Sequence, residues 1–282
     1  MEWKGRRQSR NVEDRRMMRG STGAIGGLGL VAVVVVSLLL GVDPRQLLEA
    51  TGMEQDHGGT PADLTPSEQA AAEFVSVTLA DTEQIWTRLF ADQLNAVYDP
   101  AVLVLFKNST SSPCGQASQA TGPFYCPQDR KVYLDTGFFG MMRDQLGAEG
   151  DFAAAYVVAH EIAHHVQDEI GILGKANQVR GQVSEAESNR ISVMIELQAD
   201  CLSGVWAHWA KASLGTIEAG DFDEAVHAAQ QIGDDRLQEA AGRRVQPETF
   251  THGTSQQRAY WFTQGLRSGQ IAQCDTYSAP DL

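Results

Sequence analysis

The sequence is poor in basic residues, in cysteine and in long apolar runs. Its 282 residues include 22 Lys and Arg against 36 Asp and Glu, which gives a formal net charge of −14. Phosphate binding requires a basic surface, so this shortage argues against nucleic acid as a partner. We find no internal repeat and no low-complexity stretch, and the 43% hydrophobic content is ordinary for a globular protein. The composition excludes a disordered, collagen-like or disulfide-dominated chain.

The four cysteines lack the spacing of a zinc site built from thiolates, because none of them forms a C-x-x-C pair. They permit three pairings. If the body of the protein is extracytoplasmic, disulfides are permitted. We then expect Cys114–Cys126 to close a long loop and Cys201–Cys274 to tie the C-terminal tail to a long helix. The alternative is four buried thiols.

One apolar run, residues 23–42, contains no charge. At 1.5 Å per residue, about 20 helical residues span a hydrocarbon core of roughly 30 Å. The run is longer than a signal-peptide core and no small-x-small cleavage site follows it, which favours an uncleaved anchor over a cleaved signal peptide. Basic residues cluster before it and are sparse after it, so the N-terminus is expected in the cytoplasm and the rest outside. We predict a single-pass cell-membrane protein with a basic cytoplasmic tail (1–22), a transmembrane signal anchor (23–42), a linker (43–64) and one folded domain (65–282).

The folded domain is predicted to be mostly helical with a small sheet, which makes it α+β. Thr65 to Glu68 read as a helix start with a capping box and a proline at the first helical position. Strands are expected at 101–106 and 131–135. Further helices are expected at about 137–146, 151–167, 184–214, 221–233 and 254–268.

The five residues from His160 to His164 read His-Glu-Ile-Ala-His. On a helix, positions i and i+4 share one face, so His160 and His164 can hold one metal ion from successive turns. Glu161 then points beside the metal, where it can take a proton from metal-bound water. Such a motif also arises by chance, but its flanks, YVVAHEIAHHVQ, are apolar, and polar groups on an apolar helix need partners.

A second helix supplies a matching pair, Glu196 and Asp200, again at i and i+4. Glu196 is a candidate third ligand, and Asp200 can orient the ring of His160 through its far nitrogen. The alternative is an exposed acidic face, which the largely apolar setting, SVMIELQADCLSGVWAHW, makes a poor explanation. His165, His208 and His227 are expected to be structural rather than ligands.

The motifs HEIAHH and ELQAD are similar to those of the glutamate zincins, the thermolysin-like class. More closely, the chain resembles the bacterial membrane-anchored family described as putative neutral zinc metallopeptidases. The matching stretches are RRQSRNVEDRR, GPFYCPQDRKVYLD, HEIAHHVQ, ELQADCLSGVWAHW and HGTSQQRAYWFTQG. The resemblance implies a zincin-like domain with one Zn²⁺ per chain, held by His160, His164 and Glu196, with Glu161 as the base. In zincins a strand beside the active-site helix commonly pairs with the substrate, and Phe124-Tyr125 or 132–134 are candidates for such an unpaired edge.

We therefore predict a zinc-dependent peptidase, an endopeptidase rather than an exopeptidase, in which zinc activates a water and Glu161 is the general base. His252 is the candidate donor to the oxyanion, with Arg258 and Tyr260 as weaker candidates. The alternative for His252 is simple packing before a helix that starts with the capping box Thr254 to Gln257. The expected partners are a peptide or protein substrate and the membrane. Two other functions stay open: a non-catalytic zinc-binding membrane adaptor or assembly factor, and an amidase acting on cell-wall peptides.

Overall fold

The computed structural model describes residues 1–17, 64–118 and 121–279. The predicted anchor at 23–42 and nearly all of the predicted linker at 43–64 lie outside these residues. Within the described ranges, no helix has the length and apolar character needed to cross a bilayer.

The described residues form a mixed helical fold with small sheets, which confirms the predicted α+β class. The strands are β1 (Val12–Asp14), β2 (Val102–Phe106), β3 (Ser109–Ser112), β4 (Gly115–Ser118), β5 (Phe124–Cys126) and β6 (Lys131–Asp135). The α-helices are α1 (Pro66–Leu89), α2 (Phe138–Leu146), α3 (Asp151–Glu169), α4 (Ile172–Arg180), α5 (Glu185–Leu214), α6 (Asp221–Gln231), α7 (Asp234–Ala240) and α8 (Ser255–Ser268). All six predicted helices are present. Helices α4 and α7 were not expected.

The caps explain why the predicted helix starts are accurate. The side chain of Thr65 accepts a hydrogen bond from the backbone N–H of Glu68. In return, the carboxylate of Glu68 accepts one from the backbone N–H of Thr65. Thr254 and Gln257 form the same reciprocal pair at the start of α8. These boxes are local in sequence, so the residue types alone indicate them.

Four strands form the main sheet in the order β1-β2-β6-β5. β1 and β6 run parallel to β2, and β5 runs antiparallel to β6. β6 is therefore paired on both sides, and the expectation that 132–134 offers an unpaired edge is wrong. Phe124 and Tyr125 lie on β5, which is an outer strand of this sheet. A separate hairpin pairs β3 with β4.

Both predicted disulfides are present, with Cα–Cα distances of 5.7 Å for Cys114–Cys126 and 5.5 Å for Cys201–Cys274. These distances are usual for disulfides. The second bond fixes the C-terminal tail to α5, as expected.

Helices α5 and α8 approach each other closely because glycine stands at the contact on both sides. A Cβ atom at Gly204 would overlap the carbonyl oxygen of Phe262, and one at Gly265 would overlap that of Cys201. This close approach packs the second half of α8 against the middle of α5. In the first turn of α8, Arg258 reaches Asp200 on α5.

The N-terminal segment belongs to the same compact unit as the domain, because Met1–Arg15 and Thr65–Leu282 cluster together. β1 forms a ladder of three residue pairs with β2. Arg6 pairs with the buried carboxylate of Asp81, and the backbone N–H of Ser9 donates to Ser76 over 3.0 Å. The predicted division into a separate tail at 1–22 and a domain at 65–282 therefore differs from the structure. The charge of this segment did not predict this packing, in which β1 covers one edge of β2.

Candidate metal centre

Three predicted ligands converge between α3 and α5. Nε2 of His160 lies 3.1 Å from one carboxylate oxygen of Glu196, and Nε2 of His164 lies 3.5 Å from the other. One ligand atom from each residue falls within 4.8 Å of the other two. Residues one turn apart on α3 therefore face a single carboxylate on α5, which is the arrangement that the i, i+4 spacing predicts.

Asp200 lies one turn beyond Glu196 and is completely buried. Its Oδ1 lies 2.9 Å from Nδ1 of His160, although the ring is not turned for a linear hydrogen bond. Arg258 donates to both oxygens of Asp200, from Nε over 2.9 Å and from Nη2 over 3.0 Å. Tyr156 donates its hydroxyl to Oδ1 of the same carboxylate. Burial disfavours the charge on Asp200, but Arg258 and His160 outweigh it and hold the pKa of this carboxyl below its ordinary value.

The sequence analysis missed Gln167, which serves the second histidine. Oε1 of Gln167 lies 2.9 Å from Nδ1 of His164, and its Nε2 donates to the carbonyl of Ile195 and to Gln198. An amide oxygen can only accept, so it fixes the proton of His164 on Nδ1 and leaves the Nε2 lone pair for a metal. The i, i+3 spacing from His164 was the available signal.

The charges of the pocket fit a divalent cation. Glu161, Glu196 and Asp200 are three carboxylates on this face, and Arg258 is the arginine beside them. Burial raises the pKa of Glu196, but the nearby His164 and His160 lower it by more than burial raises it. The net pKa therefore lies below its ordinary value. Burial lowers the pKa of His160, yet Asp200 and Glu196 raise it to about 10. Two imidazole nitrogens and one carboxylate, with one side facing a cleft, form a donor set that suits catalytic zinc.

Glu161 lies beside the converging ligands and lines the same cleft. Its side chain is buried, and this burial raises the pKa of the carboxyl group against the opposing charges of His164 and His160. A carboxylate with a raised pKa is a better base near neutral pH. Glu161 therefore shares the cleft with the three converging residues.

His252 also lines the cleft, from the loop before α8, with its side chain 48% exposed. Its Nδ1 lies 3.1 Å from Oδ1 of Asp234, whose Oδ2 accepts the backbone N–H groups of Thr251 and His252 over 2.7 Å each. The hydrogen bond to Asp234 raises the pKa of His252, against its burial. Asp234 was not predicted, because in sequence it is simply an acidic residue in the first turn of a short helix.

The two weaker oxyanion candidates differ in position. Arg258 lines the cleft but donates to Asp200, and Tyr260 is 60% exposed on α8 and is not among the residues that line the cleft. His165 is buried near the Tyr125 hydroxyl and the Asp99 carbonyl. It is a core residue, as expected.

The cleft has a volume of about 700 Å³. Its walls come from the outer strand β5, from α4 and from the loop that carries His252, while α3 and α5 provide the metal-binding face. Phe124 and Tyr125 line it on the β5 side, and Asn177 and Arg180 line it at α4.

We expect Asp200→Asn to weaken zinc binding about 10- to 100-fold, because the carboxylate that fixes His160 is replaced by an amide. Zinc affinity is measured by competition with a chelator on purified protein, and thermal melts check that the variant remains folded. Glu185→Gln, an exposed change on the same helix, is the matched control. Equal affinity in the wild type and Asp200→Asn would contradict the role assigned to Asp200.

Comparison with known proteins identifies one matching family and several relatives. The profile of the family described as "Putative neutral zinc metallopeptidase" matches residues 1–277. "Uncharacterized protein YpfJ" of Escherichia coli K12 is 46% identical over 287 residues, which cover 98% of this chain and 99% of that protein. "Uncharacterized protein Rv2575" of Mycobacterium tuberculosis H37Rv is 40% identical over 263 residues, 87% of this chain and 86% of that protein. No solved structure matches the chain.

Proposed function

The chain belongs to the putative neutral zinc metallopeptidase family, and from this premise we propose that it hydrolyses peptide bonds with Glu161 as general base. Its cofactor is zinc. The observation that carries the proposal is the convergence of His160, His164 and Glu196 in one cleft, with Glu161 and His252 on the walls of that cleft.

His160, His164 and Glu196 would hold the ion through two Nε2 atoms and a carboxylate oxygen. When bound, zinc lowers the pKa of a coordinated water and polarises a substrate carbonyl. Asp200 and Gln167 hold the two imidazole rings from behind. The contact with Gln167 fixes the tautomer of His164, and the charge of Asp200 lies 2.9 Å from Nδ1 of His160.

Glu161 accepts the proton of the attacking water and then delivers it to the leaving amine. Its burial supports this assignment, because a carboxyl group with a raised pKa exchanges a proton more readily near neutrality. Glu161 does not take part in the close contacts among the three metal-binding residues.

His252 donates a hydrogen bond to the oxyanion of the tetrahedral intermediate. Asp234 supports this role in two ways, since it orients the ring through Nδ1 and favours the protonated form. Because Nδ1 contacts Asp234, the donor to the oxyanion would be Nε2. An Asp–His pair of this kind holds a donor ready without rearrangement during the reaction.

An extended peptide fits the outer edge of β5, which is paired with β6 on one side. We propose endopeptidase action, because an exopeptidase that removes C-terminal residues needs a cation beside the metal to hold a terminal carboxylate. Within the described chain, the arginine at that place is Arg258, and Asp200 already neutralises it.

We expect Glu161→Gln to retain one zinc per chain and to lose peptide hydrolysis by at least about 100-fold, because no carboxylate then accepts the proton of water. Zinc is measured by atomic absorption, and turnover by the release of fluorescent fragments from labelled casein. Glu185→Gln, an exposed change at the start of α5, serves as the control. Wild-type protein that binds zinc without cleaving casein or peptides would point to the adaptor function, and cleavage of cell-wall peptides alone would point to the amidase.

Removal of the His252–Asp234 pair has a distinct signature in the pH profile. Asp234 raises the pKa of His252, so activity that needs the protonated ring persists until pH rises through that elevated pKa. Asp234→Asn lowers the pKa of His252 and should move the alkaline limb of kcat/KM to lower pH. His252→Ala should lower kcat about 10²- to 10³-fold without loss of zinc. An unchanged alkaline limb in Asp234→Asn would exclude this pairing from the mechanism.

We further propose that the domain works at a membrane in an oxidising compartment, which the two disulfides favour. The apolar run at 23–42 is the expected anchor. The ladder between β1 and β2 restricts the membrane topology, because residues 1–15 and the domain must lie on the same side of the membrane to form it. A chain that crosses the bilayer once between them cannot form this ladder, so the ladder and the predicted orientation are incompatible.

Thiol labelling of intact cells distinguishes the two arrangements. Gln8→Cys reports the side of the N-terminal segment, and Lys175→Cys on α4 reports the side of the domain; both positions are exposed. If β1 pairs with β2, a membrane-impermeant maleimide labels both positions or neither. Labelling of Lys175→Cys alone would support the single-pass orientation and would exclude the ladder in the cell.

A further inference from the structure

The cleft contains an arginine whose charge no carboxylate neutralises in the described part of the chain. Arg180 stands at the end of α4 and lines the cleft together with the metal-binding residues. Nη1 of Arg180 donates to Oδ1 of Asn177 over 3.1 Å, and Nε donates to Oγ of Ser188 over 3.4 Å. Both partners are neutral. Among the described residues, no carboxylate oxygen forms an ion pair with Arg180, although most of the other arginines, such as Arg88 and Arg258, have one.

The two neutral contacts hold the guanidinium in place, but they supply no negative charge and use only some of its N–H donors. Arginine presents five N–H donors in a rigid fork that matches the two oxygens of a carboxylate. Asn177 and Ser188 use two of these donors. The remaining donors and the full positive charge are available to a group that enters the cleft.

The position of Arg180 relative to the scissile bond follows from α5. Ser188, which Arg180 contacts, precedes Glu196 by eight residues on that helix, and at 1.5 Å per residue the two lie about 12 Å apart along the axis. An extended peptide advances about 3.3 Å per residue. The guanidinium is therefore three or four substrate residues away from the bond that is hydrolysed.

The wall between the two points favours a short apolar stretch. Leu173 and Ile195 line the cleft there, together with Ser192. The protein as a whole carries a net charge of −14, so a free arginine in the cleft is a local exception. It would select for a group that the rest of the surface repels.

We propose that Arg180 is a specificity-determining residue that binds a substrate carboxylate three or four residues from the scissile bond. This inference rests on the proposed function in one respect, namely that the ligand of the cleft is a peptide. The carboxylate can belong to an Asp or Glu side chain or to the C-terminus of the peptide. The chemistry of recognition is the same for both, and the experiment separates them.

The test is peptide binding to the full-length, zinc-loaded Glu161→Gln protein, followed by fluorescence anisotropy. Dye-labelled peptides carry a single Glu at successive positions on either side of a central apolar pair, and matched peptides carry Gln instead. Each peptide is made with a free and with an amidated C-terminus. The same peptides are given to the wild type, and kcat and KM are measured for any that are cleaved.

We expect the best Glu peptide to bind about 2- to 5-fold more tightly than its Gln partner, as is typical of a partly exposed ion pair. Arg180→Gln should abolish this preference while leaving binding of the Gln peptide and the zinc content unchanged. Arg180→Glu should favour a Lys peptide instead. In the wild type, the effect should appear in KM more than in kcat, because the contact is equal in the ground state and the transition state. Lys175→Gln, an exposed change on α4, is the matched control.

A preference for Glu that survives in Arg180→Gln, or no preference in the starting protein, overturns the inference. A preference that persists after amidation assigns the carboxylate to a side chain, and one that disappears assigns it to the C-terminus. Because binding is measured without turnover, the two proposals can fail separately. Arg180-dependent binding without cleavage by the wild type would contradict the peptidase function and support the role of Arg180. Cleavage without a preference for Glu would support the peptidase function and contradict the role of Arg180.

Discussion

The buried ion pair between Asp200 and Arg258 is the interaction on which the metal centre depends. It joins α5 to α8, and the same carboxylate reaches His160 and Tyr156 on α3. Both partners are almost completely buried, so the loss of either would leave an uncompensated charge in the core. The two helices also approach each other closely at Gly204 and Gly265, where a Cβ atom would overlap the facing backbone. Packing between helices thus determines the orientation of a metal-binding ring.

In the proposed mechanism, the environment of the cleft gives two titratable groups different roles. Burial raises the pKa of Glu161 and makes this carboxylate a better base. A carboxylate partner, Asp234, raises the pKa of His252 and favours the imidazolium, which is a donor. The same direction of shift therefore produces a proton acceptor in one case and a proton donor in the other. Such a division between neighbouring groups is typical of sites that carry out acid–base chemistry.

Local periodicity, capping boxes and the i, i+4 spacing were sufficient to predict the helices that bear the site and the convergence of His160, His164 and Glu196. Those features depend on residues within one or two turns of each other. Gln167 and Asp234 were missed because their partners are defined by the fold, and an isolated Gln or Asp in a helix has many ordinary explanations. β1 was missed for the same reason, since three residues far from β2 in sequence give no periodic signal. The sequence left two candidates for the edge strand, Phe124-Tyr125 and 132–134. Only the sheet order, in which β6 is paired on both sides, shows that 132–134 is not an edge.

The N-terminal segment shows how one set of charges can have two explanations. Basic residues before an apolar run are the usual signal for a cytoplasmic flank. In the structure, however, Arg6 neutralises buried Asp81, and Lys131 reaches Glu13 over 2.7 Å. These charges therefore contribute to the fold and not only to topology. The family profile also begins at residue 1, so the segment is part of the unit that the relatives share. The membrane placement of the domain therefore has to be argued for the segment and the domain together.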